Sequence, residues 1–281
     1  MRKQWTWIII LCIFNFSLMG FILTHPTSKN QDAKIVKKED KKSFTFVGVG
    51  DNLYHNTQYM CQEQNEYYNF DSYYEMTNKY TQKADLAYIN FETLCIGEEY
   101  GLSGYPTFNG PTEILSSVNK AGFDWWSLSS NHSMDRGVEG LLKQIELVRE
   151  NYPDVITTGS HTSKKDRNRT LVKEINGIKV GFLGYTYGLN GFVLPEDKPW
   201  LVDLIDKDQM KKDMEALSKV SDIQLVSMHW GDEYQTYPND EQQDLANYLN
   251  ELGAEVVIGS HPHVIQPAEI IKGKKQDTLV Y

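Results

Sequence analysis

Val256-Val-Ile-Gly-Ser-His-Pro-His263 is a short apolar run that ends on two imidazoles separated by a proline. Four runs upstream have the same form: Phe46-Val-Gly-Val-Gly-Asp51, Leu86-Ala-Tyr-Ile-Asn-Phe-Glu92, Trp126-Ser-Leu-Ser-Ser-Asn-His132 and Leu225-Val-Ser-Met-His229. Each starts as a buried strand and stops at a side chain that binds metal well. In an open α/β sheet, ligands sit outside the carboxyl ends of the strands, so residues distant in sequence share one crevice when each terminates a parallel or mixed-sheet strand. The repetition predicts an α/β fold and one pocket lined by Asp51, Glu92, Asn131, His132, His229, His261 and His263.

Between these runs the pattern alternates. Ile114, Leu115 and Val118 recur at helical spacing in residues 111–121, with Gly122 as the stop, and Leu141, Leu142, Ile145 and Val148 share a face in residues 137–150. Met210, Met214 and Leu217 mark a further helix in residues 206–220. Another, in residues 239–252, is capped by Asn239 or Asp240 and stopped by Gly253. Strands are expected at 43–50, 85–90, 123–129, 178–184, 223–228 and 255–259, and strands alternating with helices give a layered α/β domain. After a turn at Lys272-Gly273-Lys274, residues 278–281 open one more strand with no closing element, so the domain is expected to be cut short at its C-terminal end. Trp125 and Trp126 are expected in the core, since a large aromatic in an apolar run is usually buried for its area.

The outer limits agree with one domain. The chain has 281 residues, and what remains after the N-terminus matches a single α/β domain of ~200–250 residues. Lysine and arginine total 28 against 38 acidic residues, a net charge of −10, which argues against nucleic acid as a partner because phosphate backbones are held chiefly by basic side chains. Cys12, Cys61 and Cys95 allow at most one disulfide and show no zinc-type spacing.

At the N-terminus, Arg2 and Lys3 precede an uncharged stretch over residues 5–23, about the ~20 residues a helix needs to cross a bilayer. No small-x-small exit follows, so residues 1–24 read as an uncleaved anchor rather than a signal peptide. Basic residues ahead of the span favour an inside N-terminus. The expectation is a single-pass protein of the cell membrane with its domain, residues 43–281, on the extracytoplasmic side. Residues 25–42 are polar and lysine-rich and cannot bury a core, which makes them a linker.

The strand-end residues have a shared chemistry. Proline 262 fixes the backbone between His261 and His263 and aims successive imidazoles toward one point. His229 adds a nitrogen donor, Asn131 an amide oxygen, and Asp51 and Glu92 the negative charge that holds a divalent cation; nitrogen and carboxylate donors without thiolates favour manganese, zinc or iron. His132 is of the type that gives a proton to a leaving group. Singly, a histidine at a strand end is more often a satisfied polar group, and Asp51 before Asn52 reads equally as the start of an Asx turn. The conjunction favours metal.

Gly50-Asp51, Asn90-Phe-Glu92, Ala121-Gly-Phe-Asp124 leading to Ser130-Asn-His132 with Asp135 and Gly137, His229-Trp-Gly-Asp-Glu-Tyr234 and Gly259-Ser-His-Pro-His263 together resemble the CapA family of poly-γ-glutamate capsule proteins, in the same order and over residues 46–281. The resemblance implies the calcineurin-like metallophosphoesterase superfamily and a four-layer α/β/β/α sandwich with a metal pocket at the strand ends. It implies one metal site of Glu92, Asn131, His229 and His261, and a second of Asp51, Glu92 and His263 with Glu92 bridging. His132 would be the general acid, oriented by Asp135. The phosphoesterase pattern has a histidine two residues after the first aspartate; Leu53 stands there in this chain, with His55 two further on, so one or two ions are implied. The expected function is capsule biosynthesis or export, either as a metal-dependent hydrolase or transferase or as a non-catalytic polymer-binding or assembly subunit. Expected partners are an anionic envelope polymer such as poly-γ-glutamate and other membrane subunits of a capsule synthesis complex.

Overall fold

The computed structural model describes residues 42–62 and 67–281. The expected anchor and all of the expected linker but Lys42 lie outside the described residues, and among the described residues no helix is long and apolar enough to cross a membrane. In chain order the elements are β1 (Phe46–Asp51), α1 (Asn56–Met60), α2 (Glu75–Thr81), β2 (Leu86–Asn90), α3 (Glu113–Lys120), β3 (Trp125–Ser127), α4 (Gly137–Asn151), β4 (Ile156–Thr158), α5 (Lys164–Arg167), β5 (Leu171–Ile175), β6 (Ile178–Thr186), α6 (Lys207–Leu217), β7 (Ile223–His229), α7 (Asp240–Leu252), β8 (Val256–Ser260), β9 (Glu269–Ile271) and β10 (Thr278–Val280).

The strands form two sheets. The first has the order β1-β2-β3-β4 and is parallel throughout. The second has the order β5-β6-β7-β8-β10-β9; its centre, β6 through β10, is parallel, and antiparallel strands close both edges.

Strand periodicity explains how three buried clusters arise from two sheets. Successive side chains point to opposite faces, and a strand covered on both sides is apolar throughout. In β2 every residue is buried. Ala87 and Ile89 join Trp126 and the inward faces of α3 (Ile114, Leu115, Val118) and α4 (Leu141, Ile145, Val148) in one cluster. Leu86 and Tyr88 point the other way and meet Trp125, Ile156 and, from the second sheet, Val180, Phe182, Leu225 and Ile258. Tyr88 also ties the two sheets by a 2.6 Å hydrogen bond between its hydroxyl and Ser227 Oγ. On the far side of the second sheet, Tyr185, Val226, Met228 and Val257 pack on Met210 and Met214 of α6 and Leu245 and Leu249 of α7.

The helices begin and end for local reasons. Asp206 accepts a 2.7 Å hydrogen bond from Gln209 N at the start of α6. Asn239 and Gln242 cap α7 reciprocally, at 2.9 and 3.0 Å, satisfying two of the donors a helix start leaves free. Gly253 takes the left-handed conformation, φ 112°, that terminates α7.

Several elements were not expected from the pattern. β4 has three residues, and β5 is half-exposed at a sheet edge, so neither carries an apolar run. Asn176-Gly177, with φ 51° and 77°, makes the tight hairpin between β5 and β6; that dipeptide is a hairpin signal in its own right. Trp125 and Trp126 are fully buried, and Cys61 and Cys95 are free thiols.

Candidate metal centre

Both sheets deliver side chains to one cleft. Asp51 is the last residue of β1, Glu92 follows β2, and Asn131 and His132 follow β3. From the second sheet, His229 is the last residue of β7, and His261 and His263 follow β8. Five of the sequence-predicted groups form two clusters: Asp51, Glu92 and His229 place a ligating atom each within 4.8 Å of one another, as do Glu92, His261 and His263, while Asn131 and His132 border them through His229 and Glu92. Glu92 belongs to both sets.

The loop after β8 is built to hold its imidazoles inward. His261 and His263 adopt left-handed backbone conformations, φ 95° and 56°, which residues with a Cβ rarely take and which cost of order 1–3 kcal/mol. Such geometry persists where the surroundings dictate it. Here the His261 N–H donates to both carboxylate oxygens of Asp51 at 3.1 Å, and His263 Nδ1 lies 2.9 Å from Asp51 Oδ2. Asn90 Nδ2 sits 2.8 Å from Asp51 Oδ1 and 3.1 Å from His229 Nδ1, joining the carboxylate to the imidazole from below.

His229 is completely enclosed. Its Nδ1 meets Ser260 Oγ at 3.0 Å, and its Nε2 faces Asn131 Oδ1 at 2.9 Å and Glu92 Oε1 at 3.7 Å. Burial pushes this histidine down to about 3, so it stays a neutral nitrogen donor in ordinary conditions. Burial lowers His261 too, helped by the neighbouring His263. His263 moves the opposite way, because its hydrogen bond to Asp51 favours the imidazolium. For Asp51, burial opposes ionisation, but the His263 hydrogen bond, the positive charge that His229 and His263 both carry in strong acid and the Asn90 amide outweigh it and bring the carboxyl down to about 2.

Glu92 is the exception. Its side chain is buried, and neither carboxylate oxygen has a hydrogen-bond partner; Nδ1 of His261 is likewise buried and unpartnered. Burial, then the Asp51 charge, hold the Glu92 carboxyl well above the usual range. An unpaired buried carboxylate is costly, and the remedy in a cleft of imidazoles is a cation. Glu92 Oε1 lies 4.0 Å from His132 Nε2, 3.7 Å from His229 Nε2 and 4.0 Å from His263 Nε2. This donor set of carboxylate oxygen, imidazole nitrogen and amide oxygen fits a divalent ion of the manganese, zinc or iron type.

His132 stands at the edge of the same cleft. Its Nδ1 meets Asp135 Oδ2 at 2.7 Å, and that oxygen also accepts from the Phe108 N–H at 2.5 Å. The pairing assigns the Nδ1 proton to the aspartate side and leaves Nε2 directed toward the cleft. The Phe108 ring closes edge-on against His132 with centroids 4.6 Å apart.

Leu53 is half-buried, and His55 is exposed, resting on the other side of Phe108 at 5.0 Å, outside both clusters of ligating atoms. Sequence reasoning gave no role to Asn90 or Ser260, which stand in the quoted motifs, and did not single out Tyr187 or Asn190. Tyr187 and Asn190 come from the loop after β6. The Tyr187 ring lies 4.7 Å from that of His261 and its side chain hydrogen-bonds Asn131, while Asn190 Oδ1 accepts from Asn131 Nδ2 at 3.2 Å. Asn190-Gly191, a turn dipeptide directly after a buried strand, was the available signal.

Comparison with known proteins bears on this cleft. The chain is similar to the capsule biosynthesis protein CapA of Bacillus anthracis, 26% identical over 247 residues, covering 84% of this chain and 58% of that protein. It is similar to the PGA biosynthesis protein CapA of Bacillus subtilis strain 168, 31% identical over 163 residues, covering 57% of this chain and 41% of the relative. The chain thus spans about half the length of the curated relatives it matches. Among solved structures it resembles a candidate 5'-nucleotidase from Staphylococcus aureus, with a TM-score of 0.53 and 16% identity over 84% of this chain and 48% of the other. At that identity the fold is what is shared, a mixed α/β architecture of two sheets. The model of the bacterial capsule synthesis protein family PGA_cap matches residues 45–281, which takes in every strand that brings a side chain to the cleft, and the chain belongs to that family.

Proposed function

We propose that this chain is a membrane-anchored, extracytoplasmic protein of poly-γ-glutamate capsule biosynthesis or export, whose cleft holds one or two divalent ions and serves a hydrolase or transferase step. The observation that carries the reading is Glu92: a buried carboxylate with neither oxygen partnered, whose Oε1 lies within about 4 Å of the Nε2 atoms of three histidines. The layer order we assign is helix, sheet, sheet, helix, in keeping with the three clusters of buried side chains. The names of the curated relatives support the capsule role.

Glu92, Asn131, His229 and His261 would hold one ion, and Asp51, Glu92 and His263 a second. A bound ion supplies charge to polarise a substrate oxygen and to lower the pKa of water toward ~7. The chain's own groups do the rest. His132, with Nδ1 held by Asp135, presents Nε2 to protonate a leaving group. Asn90 and Ser260 fix the His229 ring. A polyanion meeting a chain of net charge −10 needs a local positive centre, which the ion provides.

The test is metal analysis of the purified full chain, followed by hydrolysis assays on poly-γ-glutamate and on model phosphoesters. The reading expects bound manganese, zinc or iron, and activity lost both with chelator and in His261→Ala. Activity untouched by either treatment would sink it.

A second reading has one observation in its favour. Leu53 occupies the position where phosphoesterases carry a histidine, and His55 stands outside the ligand clusters, which suits a subunit that binds polymer or organises a synthesis complex without catalysis. Under it, polymer export survives His132→Ala and fails when residues 5–23 are deleted; the reverse result rejects it.

A further inference from the structure

We infer that Asn190 is a positioning residue for the metal cleft: it fixes the Asn131 amide with its oxygen toward the ligand cluster. The inference rests on the metal-centre reading above. It concerns a residue on the loop after β6, in the second sheet, acting on a residue presented by the first.

A ligating asparagine has a problem that carboxylates and imidazoles do not. The two ends of its amide are almost the same shape, one an acceptor with lone pairs and the other a donor of two protons. Turned the wrong way, the group offers hydrogens to a cation. Orientation has to come from neighbours that accept on one side and donate on the other. Asn131 has both: its Oδ1 faces His229 Nε2 at 2.9 Å, and its Nδ2 donates to Asn190 Oδ1 at 3.2 Å.

When an ion takes the Asn131 oxygen and the His229 nitrogen together, the His229 contact no longer distinguishes the two ends. The Asn190 contact still does, beside the Tyr187 side chain that also bonds Asn131. It acts on the far end of the amide and asks only for an acceptor. Groups that hydrogen-bond a metal ligand in this way orient it, and losing one typically weakens metal binding ~10–100-fold.

The backbone supports the assignment. Asn190 and Gly191 take successive left-handed conformations, φ 49° and 86°, which turn the loop over the cleft. Asparagine is among the few residues with a Cβ that tolerate this region. The turn presents the amide to two neighbours at once, since Asn190 Nδ2 lies 3.4 Å from both ring nitrogens of His132. Both contacts are long and equal, so neither nitrogen is singled out. Its stronger, directional contact is the one to Asn131.

The experiment is Mn2+ titration of the metal-stripped full chain by calorimetry, in wild type, N190G, N131A, the double variant N131A/N190G and H229A. Glycine is chosen because it keeps the left-handed turn while removing the amide. N190G is expected to weaken binding about tenfold, the low end of the range because Asn190 is solvent-exposed. The double variant should bind no more weakly than N131A, since Asn190 acts through Asn131. Wild-type affinity in N190G, or a full N190G loss added on top of N131A, overturns the inference while H229A still fails to bind. Binding that H229A leaves intact removes the metal-centre reading itself.

Discussion

Two groups of buried charges in this domain are solved in opposite ways. One is the Glu92 cleft. The other lies beside β4 and β6, around a cavity of about 200 Å3 lined by Arg149, His161, Asp166, Arg167, Asp203 and Asp213 among others. In that second group each of these charged side chains has a counterpart. Arg167 makes a two-pronged contact with Asp213 at 2.6 and 3.2 Å and also pairs with Asp203. His161 Nε2 meets Asp203 at 2.8 Å, Arg149 meets Asp166 at 2.6 Å, and the Tyr185 hydroxyl and Gln209 amide complete Asp213 at 2.9 Å each. A network satisfied from within has no need of a ligand. The Glu92 cleft, with both carboxylate oxygens unpartnered, is incomplete as protein alone, and that difference separates a structural cluster from a binding site.

The largest effect that tests the contrast is Arg167→Ala. It leaves Asp203 and Asp213 without their shared partner, and breaking a buried ion pair from one side costs ~3–5 kcal/mol, read as a lower denaturation midpoint with no effect on metal affinity. Next is metal itself. At a hundredfold excess over its dissociation constant, an ion that binds only the folded form adds ~2.7 kcal/mol of stability. Glu92→Gln should abolish that increment yet change metal-free stability by no more than ~1 kcal/mol, because burial already favours the neutral carboxyl, which the amide matches in shape. If Glu92→Gln instead unfolds the metal-free chain as Arg167→Ala does, the two clusters are alike and the contrast fails.

Where the sequence was legible, it was through burial. β2, β7 and β8 lie inside their sheets, so their runs are apolar and their ends stand out, and with them Glu92, His229, His261 and His263; β1 is a half-buried edge strand that still shows its apolar Phe46-Val-Gly-Val run up to Asp51. Asn239 and Gly253 bound α7 through cap chemistry that is local and readable. The edges were not readable: β5 and β9 have solvent on one side, and Lys173, Glu174 and Ile270 follow no core pattern. Asn190 and Tyr187 escaped for another reason. β6 ends at Thr186, which ligates nothing, and the reach of its loop to Asn131 is a contact between sheets that no periodicity encodes.

The smallest effect concerns pH and distinguishes the histidines of the cleft from one another. His229 and His261 are held neutral by burial, so they ask no proton to leave before an ion arrives. His263 is different: its hydrogen bond to Asp51 raises it above the ordinary histidine value, and an ion competing for that nitrogen must displace a proton. Affinity therefore rises with pH through the raised value of His263 and levels off above it, by at most about tenfold per unit for one proton released. The metal-free chain shows the opposite trend on that side: the stability lent by the His263–Asp51 pair is fully present below about 6.5 and is lost as pH rises through the raised value. Zn2+ or Mn2+ titrations between pH 6 and 8.5 should show the slope in wild type and a flatter profile in His263→Ala. An equal slope in both would place the exchanged proton on another group, the Glu92 carboxyl that burial holds well above the usual range, and would show that His263 gives up no proton to the ion.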